Sequence, residues 1–436
     1  MSRLIIRSGR VIDPASGFDD DADVVIENGV VLSIERDADS RRGDRSFDAS
    51  GFLVTPGLID PHVHLREPGG EAAETIASGG AAAIEGGFTT VCCMPNTRPA
   101  IDSVETLELV AERSRAANAC RVFAVAAATC GRRGERLVDM EGLSRAGAVG
   151  FSDDGDVIAS AAVMREALRG CRAVDRVFMQ HCQELTLTAG ASMNEGAVAD
   201  RLGQAGWPKV AEELIIERDI RLNREVGARY HVQHLSSGGS VELVREAREE
   251  GQPVSAEASP HHLLLTDEAC ESIGTNAKMN PPLRTAADVE AVRRGVADGV
   301  ITVLATDHAP HAADRKALPF AEAPFGIVGI ETALPLYVRA LVESGLLEWP
   351  ALIRLMTIEP AKLCGLDQAP HRLGSLETGA AGDVTVIDPD EVWTIDARAF
   401  QSLSSNTPFD GWEVRGRAVG VVVGGEIRLD RSDRSG

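Results

Sequence analysis

The sequence predicts an α/β fold, namely a (β/α)8 TIM-type barrel with a small β-sandwich domain built from both chain termini. Three observations support this: β-type segments at both ends, regularly repeated apolar runs between them, and sufficient length for one large and one small domain. The chain has 436 residues, of which 44% are hydrophobic and 25% charged, as in ordinary globular proteins. We expect the small domain in residues 1–54 and 371–436, and the barrel in residues 55–370.

Short segments with high β-propensity mark both ends of the chain. They lie at residues 4–7, 24–27 and 29–34, and again at residues 383–388 and 420–427. These segments are rich in valine and isoleucine and lack helical periodicity. We therefore expect the two ends to pair into one β domain, with the middle of the chain as a long insertion.

The middle of the chain repeats an apolar run that closes on polar residues, with helix-like stretches between the runs. Eight such runs are the number that a (β/α)8 barrel requires, and its active site lies where the strands end. An open doubly wound sheet is the alternative, but no Gly-rich phosphate loop follows the first run. The runs close at residues 62–64, 94–96, 128–129, 152–153, 180–181, 233–234, 258–259 and 306–307.

Charge and cysteine content exclude several classes of function. A formal net charge of −22 argues against general nucleic-acid binding or attachment to an anionic membrane. The first residues form no signal peptide and no apolar segment is long enough to span a bilayer, so we expect a cytoplasmic protein. None of the eight cysteines forms a C-x-x-C pair, which favours buried free thiols over disulfides.

Histidine and aspartate residues close several of the runs. His62 and His64 lie two residues apart, so in a strand they point to the same face and can bind one ion. An isolated H-x-H is weak evidence, but three further runs close on His181, His234 and Asp307. Imidazole and carboxylate ligands without cysteine suit a catalytic zinc with an open coordination position.

Several sequence segments together resemble the dihydroorotase family of the amidohydrolase superfamily. They are HVHLREPG at 62–69, MPNT at 94–97, KMNPPLR at 278–284, ATDHAPH at 305–311, PFG at 324–326 and NTPF at 406–409. The resemblance covers nearly the whole chain, and the segments occur in family order. It implies a metal-dependent barrel that binds zinc, with two ions per chain expected.

The resemblance also implies a ligand set of His62, His64, His181, His234 and Asp307, completed by a bridging residue. Many superfamily members bridge two metals with a carboxylated lysine, but no lysine stands at a strand end in this chain. The similarity is to dihydroorotases with an aspartate in that place, which corresponds to Asp153. A carboxylate can bridge two cations. The alternatives are that Asp154 fills the place, or that either aspartate caps the following helix.

The family resemblance implies anionic substrates, N-carbamoyl-L-aspartate with two carboxylates and dihydroorotate with one. Because the protein is acidic overall, we expect local cations to bind them. Arg66 lies two residues beyond His64 on the same strand face, and its planar guanidinium suits a carboxylate. The resemblance implies further substrate contacts at His64, Asn96, Asn280 and His311, and at backbone groups near Phe325 and Gly326. His231 lies three residues before His234, which predicts the opposite strand face; His261 and His262 are expected to support the site through hydrogen bonds, and His308 is left unassigned.

The expected activity is the reversible, zinc-dependent cyclisation of N-carbamoyl-L-aspartate to (S)-dihydroorotate plus water in UMP biosynthesis. Asp307 is the expected catalytic residue, accepting the proton of the attacking water and returning it to the departing ring nitrogen. The alternatives are a hydantoinase, an allantoinase, or a non-catalytic partner of aspartate transcarbamoylase. A homodimer and association with aspartate transcarbamoylase are the macromolecular partnerships that we expect.

Overall fold

Two eight-stranded sheets and one two-stranded sheet organise the chain in the computed structural model, which describes residues 3–432. The strands are β1 (Arg3–Asp13), β2 (Phe18–Glu27), β3 (Val30–Glu35), β4 (Arg45–Asp48), β5 (Leu53–Pro56), β6 (Leu58–Val63), β7 (Phe88–Cys93), β8 (Arg121–Ala126), β9 (Gly150–Phe151), β10 (Val177–Gln180), β11 (Met193–Asn194), β12 (Gly206–Trp207), β13 (Tyr230–Val232), β14 (Val254–Ala258), β15 (Val303–Leu304), β16 (Val384–Thr394), β17 (Glu413–Val423) and β18 (Glu426–Asp430).

Helices connect most of the strands. They are α1 (Ile76–Glu85), α2 (Val104–Ala117), α3 (Met140–Ala146), α4 (Ala161–Ala173), α5 (Leu185–Thr188), α6 (Ala197–Leu202), α7 (Val210–Val226), α8 (Gly238–Glu249), α9 (Pro260–Leu264), α10 (Ala269–Ile273), α11 (Ala286–Ala297), α12 (Ala313–Lys316), α13 (Ala333–Tyr337), α14 (Trp349–Met356) and α15 (Ile358–Leu363). Short 3-10 segments lie at Cys130–Arg132, Gly274–Ala277, Ile330–Thr332 and Ala397–Ala399, and a π-helical turn lies at Val338–Val342.

One sheet joins the two ends of the chain. Its strand order is β18-β17-β16-β5-β1-β2-β3, and β4 pairs with β1. The N-terminal and C-terminal parts meet where β5 pairs antiparallel with β16, with Thr55 opposite Thr385. Valine, isoleucine and leucine side chains from both parts share one buried cluster. The predicted small β domain built from both termini is therefore confirmed.

The second sheet is the predicted barrel. Its strands follow one another in the order β6, β7, β8, β9, β10, β13, β14, β15, and every neighbouring pair is parallel. A parallel bridge between Val63 and His308 brings the last strand back to the first. There the His64 N–H donates to the carbonyl oxygen of His308 at 2.8 Å. All eight apolar runs are barrel strands, and the (β/α)8 fold is confirmed.

A single residue, Gly57, separates the small domain from the barrel. β5 pairs with the terminal sheet as far as Pro56, so the sequence-based border after residue 54 falls inside this strand. β6 then begins in the barrel at Leu58. A Cβ atom on Gly57 would lie 2.1 Å from Thr89 Oγ1, so the junction has no room for a side chain. The first barrel strand is thereby packed tightly against the second.

The eight cysteines are free thiols, and seven of them are buried. This agrees with the prediction of buried thiols. Among residues 3–432, no helix is both long and apolar enough to cross a membrane.

Candidate metal and substrate site

A cluster of histidine and aspartate side chains lies at the C-terminal ends of five barrel strands. His62 is in β6 and His64 follows it, while Asp154, His181, His234 and Asp307 follow β9, β10, β13 and β15. All of these side chains are buried. Because the strands are parallel, residues that are far apart in sequence meet at this one end of the barrel.

The cluster contains two groups of possible metal ligands that share Asp154. One group is His62, His64 and Asp154, and the other is Asp154, His181 and His234; within each group the ligand atoms lie within 4.8 Å of one another. Asp154 Oδ1 is 3.5 Å from His62 Nε2 and 3.6 Å from His181 Nδ1. A carboxylate at the junction of two such groups has the position of a bridging ligand.

Asp307 lies beside the first group. Its Oδ1 is 2.9 Å from His64 Nε2 and 3.5 Å from His62 Nε2. Burial alone would raise the pKa of Asp307, but the contact with His64 and the nearby imidazoles outweigh it and lower that pKa. The pKa of Asp154 is also lowered, because His62, His181 and His234 outweigh the effect of its burial. Both groups are therefore carboxylates at neutral pH.

The structure corrects the choice of Asp153 as the bridging residue. The Asp153 carboxylate accepts hydrogen bonds from the N–H groups of Ala128 and Thr129, both at 3.0 Å, and from the Thr129 hydroxyl. It thus fastens the end of β8 instead of joining the cluster. It does not cap α4 either, since Ser160 does that. β9 ends at Phe151, and Asp154 lies in the turn that follows, with its carboxylate next to the imidazoles of His62 and His181.

Three of the imidazoles are arranged as metal ligands require. His62 Nδ1 is bonded to Glu257, His64 Nδ1 to Asn96 Oδ1 at 2.9 Å, and His181 Nε2 to Gln183 Oε1 at 3.1 Å. When the outward nitrogen carries the hydrogen, the inward nitrogen keeps its lone pair for a cation. The inward Nε2 of His62 is buried without a hydrogen-bond partner. The donor set fits a metal with nitrogen and oxygen ligands.

Glu257 is a component of the site that the sequence interpretation missed. Its two oxygens contact His62 Nδ1 and His231 Nε2, and one of them also accepts the His234 N–H at 3.2 Å. The signal was an acidic residue, Glu257, inside a buried barrel strand, β14. A carboxylate that is fully buried within a barrel requires polar partners there.

The expectation that His231 and His234 lie on opposite faces was wrong. His231 joins the cluster indirectly, through Glu257, which also contacts His62. The strand alternation ends because β13 stops at Val232 and His234 adopts a φ of 30°. Asp307 also has a positive φ, of 49°. Such left-handed conformations are uncommon for residues with side chains and cluster at functional sites.

Three further histidines, His261, His262 and His308, lie next to this cluster. His262 Nε2 contacts the carbonyl of Pro281 at 3.0 Å, in line with its expected supporting role. His261 Nε2 is buried without a hydrogen-bond partner. His308 lies 3.3 Å from Glu74 Oε2 and accepts the N–H of Gly329.

A cleft of about 330 Å³ opens onto the cluster. All of the residues expected to contact substrate line this cleft, namely His64, Arg66, Asn96, Asn280, His311, Phe325 and Gly326. The Oδ1 atom of Asn280 is buried without a partner, and its Nδ2 donates to Gln183 Oε1 at 3.2 Å. Gly326 has a φ of 122°, and a Cβ atom there would lie 2.7 Å from Ala309 Cβ. The polypeptide backbone therefore forms this part of the wall.

Arg66 supplies positive charge to the cleft. Its Nε donates to the carbonyl of Pro310 at 3.1 Å, and its Nη2 lies 3.5 Å from His311 Nε2. Burial lowers the pKa of Arg66 to about 10, so the guanidinium stays charged at neutral pH. Burial, with help from this cation, lowers the pKa of His311 to about 3, so its imidazole is neutral. A charged guanidinium beside a neutral imidazole suits an anionic ligand.

Comparisons with known proteins identify the family to which the chain is similar. Residues 51–240 match the family model described as dihydro-orotase-like, and residues 252–428 match the amidohydrolase family. The dihydroorotase of Geobacter sp. (strain M21) is 46% identical over 97% of this chain and 98% of its own length. That of Citrifermentans bemidjiense is 45% identical over 97% of this chain and 99% of its own length.

Solved structures of cyclic amidohydrolases share the fold. The L-hydantoinase (dihydropyrimidinase) of Arthrobacter aurescens superimposes with a TM-score of 0.86 at 27% identity, covering 99% of this chain and 97% of the other. The D-hydantoinase of Thermus sp. superimposes with a TM-score of 0.82 at 25% identity, covering 98% and 95%.

Asp154 belongs to both ligand groups, and this predicts that its substitution affects metal binding differently from substitution of Asp153. Asp154→Asn removes the negative charge between the two ligand groups, and we expect metal affinity to fall at least about tenfold. Asp153→Asn is the matched control and should retain metal, because this carboxylate bonds only to the end of β8. Metal content of both purified variants, measured by elemental mass spectrometry, checks the assignment. Loss of metal from Asp153→Asn alone would reverse it.

Proposed function

The chain belongs to the dihydroorotase family of the amidohydrolases, and on that premise we propose that it interconverts N-carbamoyl-L-aspartate and (S)-dihydroorotate plus water in UMP biosynthesis. As a family member it is a hydrolase that acts on cyclic amides. The observation that carries the proposal is the position of Arg66, whose guanidinium lines the same cleft as the histidine and aspartate cluster.

The charge of the substrate makes Arg66 informative. Dihydroorotate carries a ring carboxylate, whereas unsubstituted hydantoin and dihydrouracil carry none. Among residues 3–432, the ion pairs of the structure leave the Arg66 guanidinium without a carboxylate at bonding distance, so its charge is available to a ligand. Asn96, in the same cleft, bonds to His64 and adds a side-chain amide. A cation beside an amide-hydrolysing centre matches a cyclic amide that bears a carboxylate.

We propose that the metal is zinc and that each chain binds two ions. The ligands would be His62, His64, Asp154, His181, His234 and Asp307, with Asp154 in the bridging place first assigned to Asp153. Zinc, when bound, would lower the pKa of water and polarise the scissile carbonyl. Glu257 would hold the ring of His62 in its ligating orientation through the bond to Nδ1.

Asp307 is the proposed carrier of the proton. Its carboxylate would accept the proton of the attacking water and then deliver it to the ring nitrogen as the C–N bond breaks. In the cyclisation direction the same carboxylate would take a proton from the carbamoyl nitrogen and release it with the departing water. Asp307 Oδ1 lies 2.9 Å from His64 Nε2, so the proposed proton carrier is part of the ligand cluster.

The proposed function also suggests where the protein acts and what it assembles with. A cytoplasmic homodimer that associates with aspartate transcarbamoylase would bring the source of carbamoyl aspartate next to this cleft. Two other functions stay testable alternatives. A hydantoinase or allantoinase is suggested by the hydantoinase neighbours, and a non-catalytic partner of aspartate transcarbamoylase would keep the fold without turnover.

One assay distinguishes these functions. We expect the purified protein to open dihydroorotate and to leave hydantoin and allantoin nearly unreacted, because Arg66 favours a ring that bears a carboxylate. Prolonged chelation should abolish the activity, and added Zn²⁺ should restore it. Faster turnover of hydantoin or allantoin would contradict the substrate assignment. Full activity in a verified metal-free sample would contradict the metal, and no turnover of any ring would favour the non-catalytic alternative.

The assignment of Asp307 predicts a specific loss of turnover. Asp307→Asn keeps the size of the side chain and one oxygen but cannot accept a proton at neutral pH. We expect kcat for dihydroorotate to fall by about two orders of magnitude or more. Because Asp307 is also a proposed metal ligand, turnover is compared at equal metal content. Near-normal kcat with metal bound would show that Asp307 does not carry the proton.

Arg66 predicts a loss that depends on the substrate carboxylate. Arg66→Met should reduce kcat/KM for dihydroorotate by an amount equivalent to about 2–5 kcal/mol, because an ion pair is lost in a desolvated site. Arg66→Lys should fall between this variant and the parent, since it keeps the charge but not the planar pair of donors. Dihydrouracil lacks the carboxylate and is the matched control. Equal losses on both substrates would place Arg66 in the fold or the metal site instead.

A further inference from the structure

Two buried lysines lie behind one wall of the cleft. The chain has four lysines, of which Lys278 and Lys316 are only 2% and 4% exposed. The other two, Lys209 and Lys362, have side chains that are 55% and 52% exposed. The wall in question is the segment 318–327, whose residues Pro324, Phe325 and Gly326 line the cleft.

Lys316 binds this segment through backbone oxygens. It is the last residue of α12, and its Nζ donates to the carbonyls of Pro324 and Gly326, each at 3.0 Å. Its third acceptor is the carbonyl of Lys278 at 3.3 Å. The three donors of one ammonium thus converge on two segments that are distant in sequence. The Gly326 N–H also donates to the Lys278 carbonyl at 3.0 Å, which closes the arrangement.

Lys278 holds the earlier part of the same segment. Its Nζ donates to the carbonyls of Phe320 and Ala321, and it lies 4.4 Å from the centre of the Phe325 ring. That ring also packs edge-on against Trp207 at 5.8 Å. Hydrogen bonds and a cation–π contact from one side chain therefore reach both the start of the segment and its cleft-facing residue.

These lysines lack the usual reason for burial. Among residues 3–432, the ion pairs include neither Lys278 nor Lys316, whereas the exposed Lys209 and Lys362 both lie near carboxylates. A buried ammonium is costly unless its donors are satisfied. Here backbone carbonyls of the cleft wall satisfy them. These hydrogen bonds therefore stabilise the backbone conformation of that wall.

We infer that Lys316, with Lys278 beside it, is a positioning residue that holds the Phe325–Gly326 backbone in the conformation that receives the substrate. From the cleft side, His311 Nε2 bonds to the Phe325 carbonyl at 2.7 Å. The segment is thus fixed from the front by His311 and from behind by the lysines. This inference rests on the proposed function, because it treats the cleft as the substrate site.

The inference predicts a change in KM more than in kcat. Lys316→Met keeps the length and the apolar stem but removes all three donors. We expect KM for dihydroorotate to rise at least about tenfold while kcat changes less than about threefold, since the metal cluster is not touched. Lys316→Gln keeps two N–H donors and should fall between this variant and the parent. Lys362→Met is the matched control, with parental KM and kcat.

A second measurement does not depend on activity. Phe320 lies in the held segment, and chymotrypsin should cleave after it faster in Lys316→Met than in the parent or in Lys362→Met. Metal content should be equal in all of these proteins. If Lys316→Met does not fold, Lys316→Gln and Lys278→Met take its place in both measurements.

The outcomes separate the lysine role from the function itself. A raised KM with retained kcat and faster cleavage supports the inference. Unchanged KM and cleavage overturn it, as does a fall in kcat that accompanies loss of metal. If the parent does not convert dihydroorotate, the proposed function fails. In that case chymotrypsin cleavage alone tests the role of the lysines. Faster cleavage in the lysine variants supports the inference that Lys316 and Lys278 hold the segment, and an unchanged rate overturns it.

Discussion

Closure of the parallel barrel is the constraint on which the site depends. The contact between β6 and the segment after β15 sets His64 beside Asp307, although 243 residues separate them. No local structure could bring these two side chains together. Parallel strands place all their C-terminal ends on one face, and closure turns that face into a ring. The ligand-type side chains meet because each follows a strand of this ring, and the cleft opens above them.

The site contains several ionised carboxylates, although burial disfavours the charged form of each. Asp154, Asp307 and Glu257 are buried carboxylates, and each contacts imidazole nitrogens that offset the loss of water. The cleft that opens onto these carboxylates is also lined by Arg66, in a chain with a net charge of −22. Arg66 therefore offers a local attraction to an anionic substrate in a protein whose overall charge repels it.

The sequence was sufficient for the fold because apolar periodicity reports burial directly. The same two-residue alternation correctly related His62 to His64, which belong to one extended segment. It failed for His231, because β13 ends at Val232 and His234 has a positive φ. The choice of Asp153 came from the family resemblance, and both Asp153 and Asp154 lie beyond the two-residue strand β9. Backbone turns of this kind have no periodic signature. The contacts of Lys316 with backbone carbonyls could not be predicted from the sequence either, since any residue can supply a backbone oxygen.

The junction at Gly57 has a consequence for how the protein forms during synthesis. β5 emerges from the ribosome early, but its partner β16 follows some 330 residues later, after the whole barrel. Throughout that interval one edge of β5 offers unpaired backbone groups to any other strand. Folding of the barrel does not supply a partner for this edge of β5, because the chain enters the barrel sheet at Leu58, two residues after β5 ends. For most of translation β5 therefore lacks its second neighbour, and the small domain can be completed only after the whole barrel has been made.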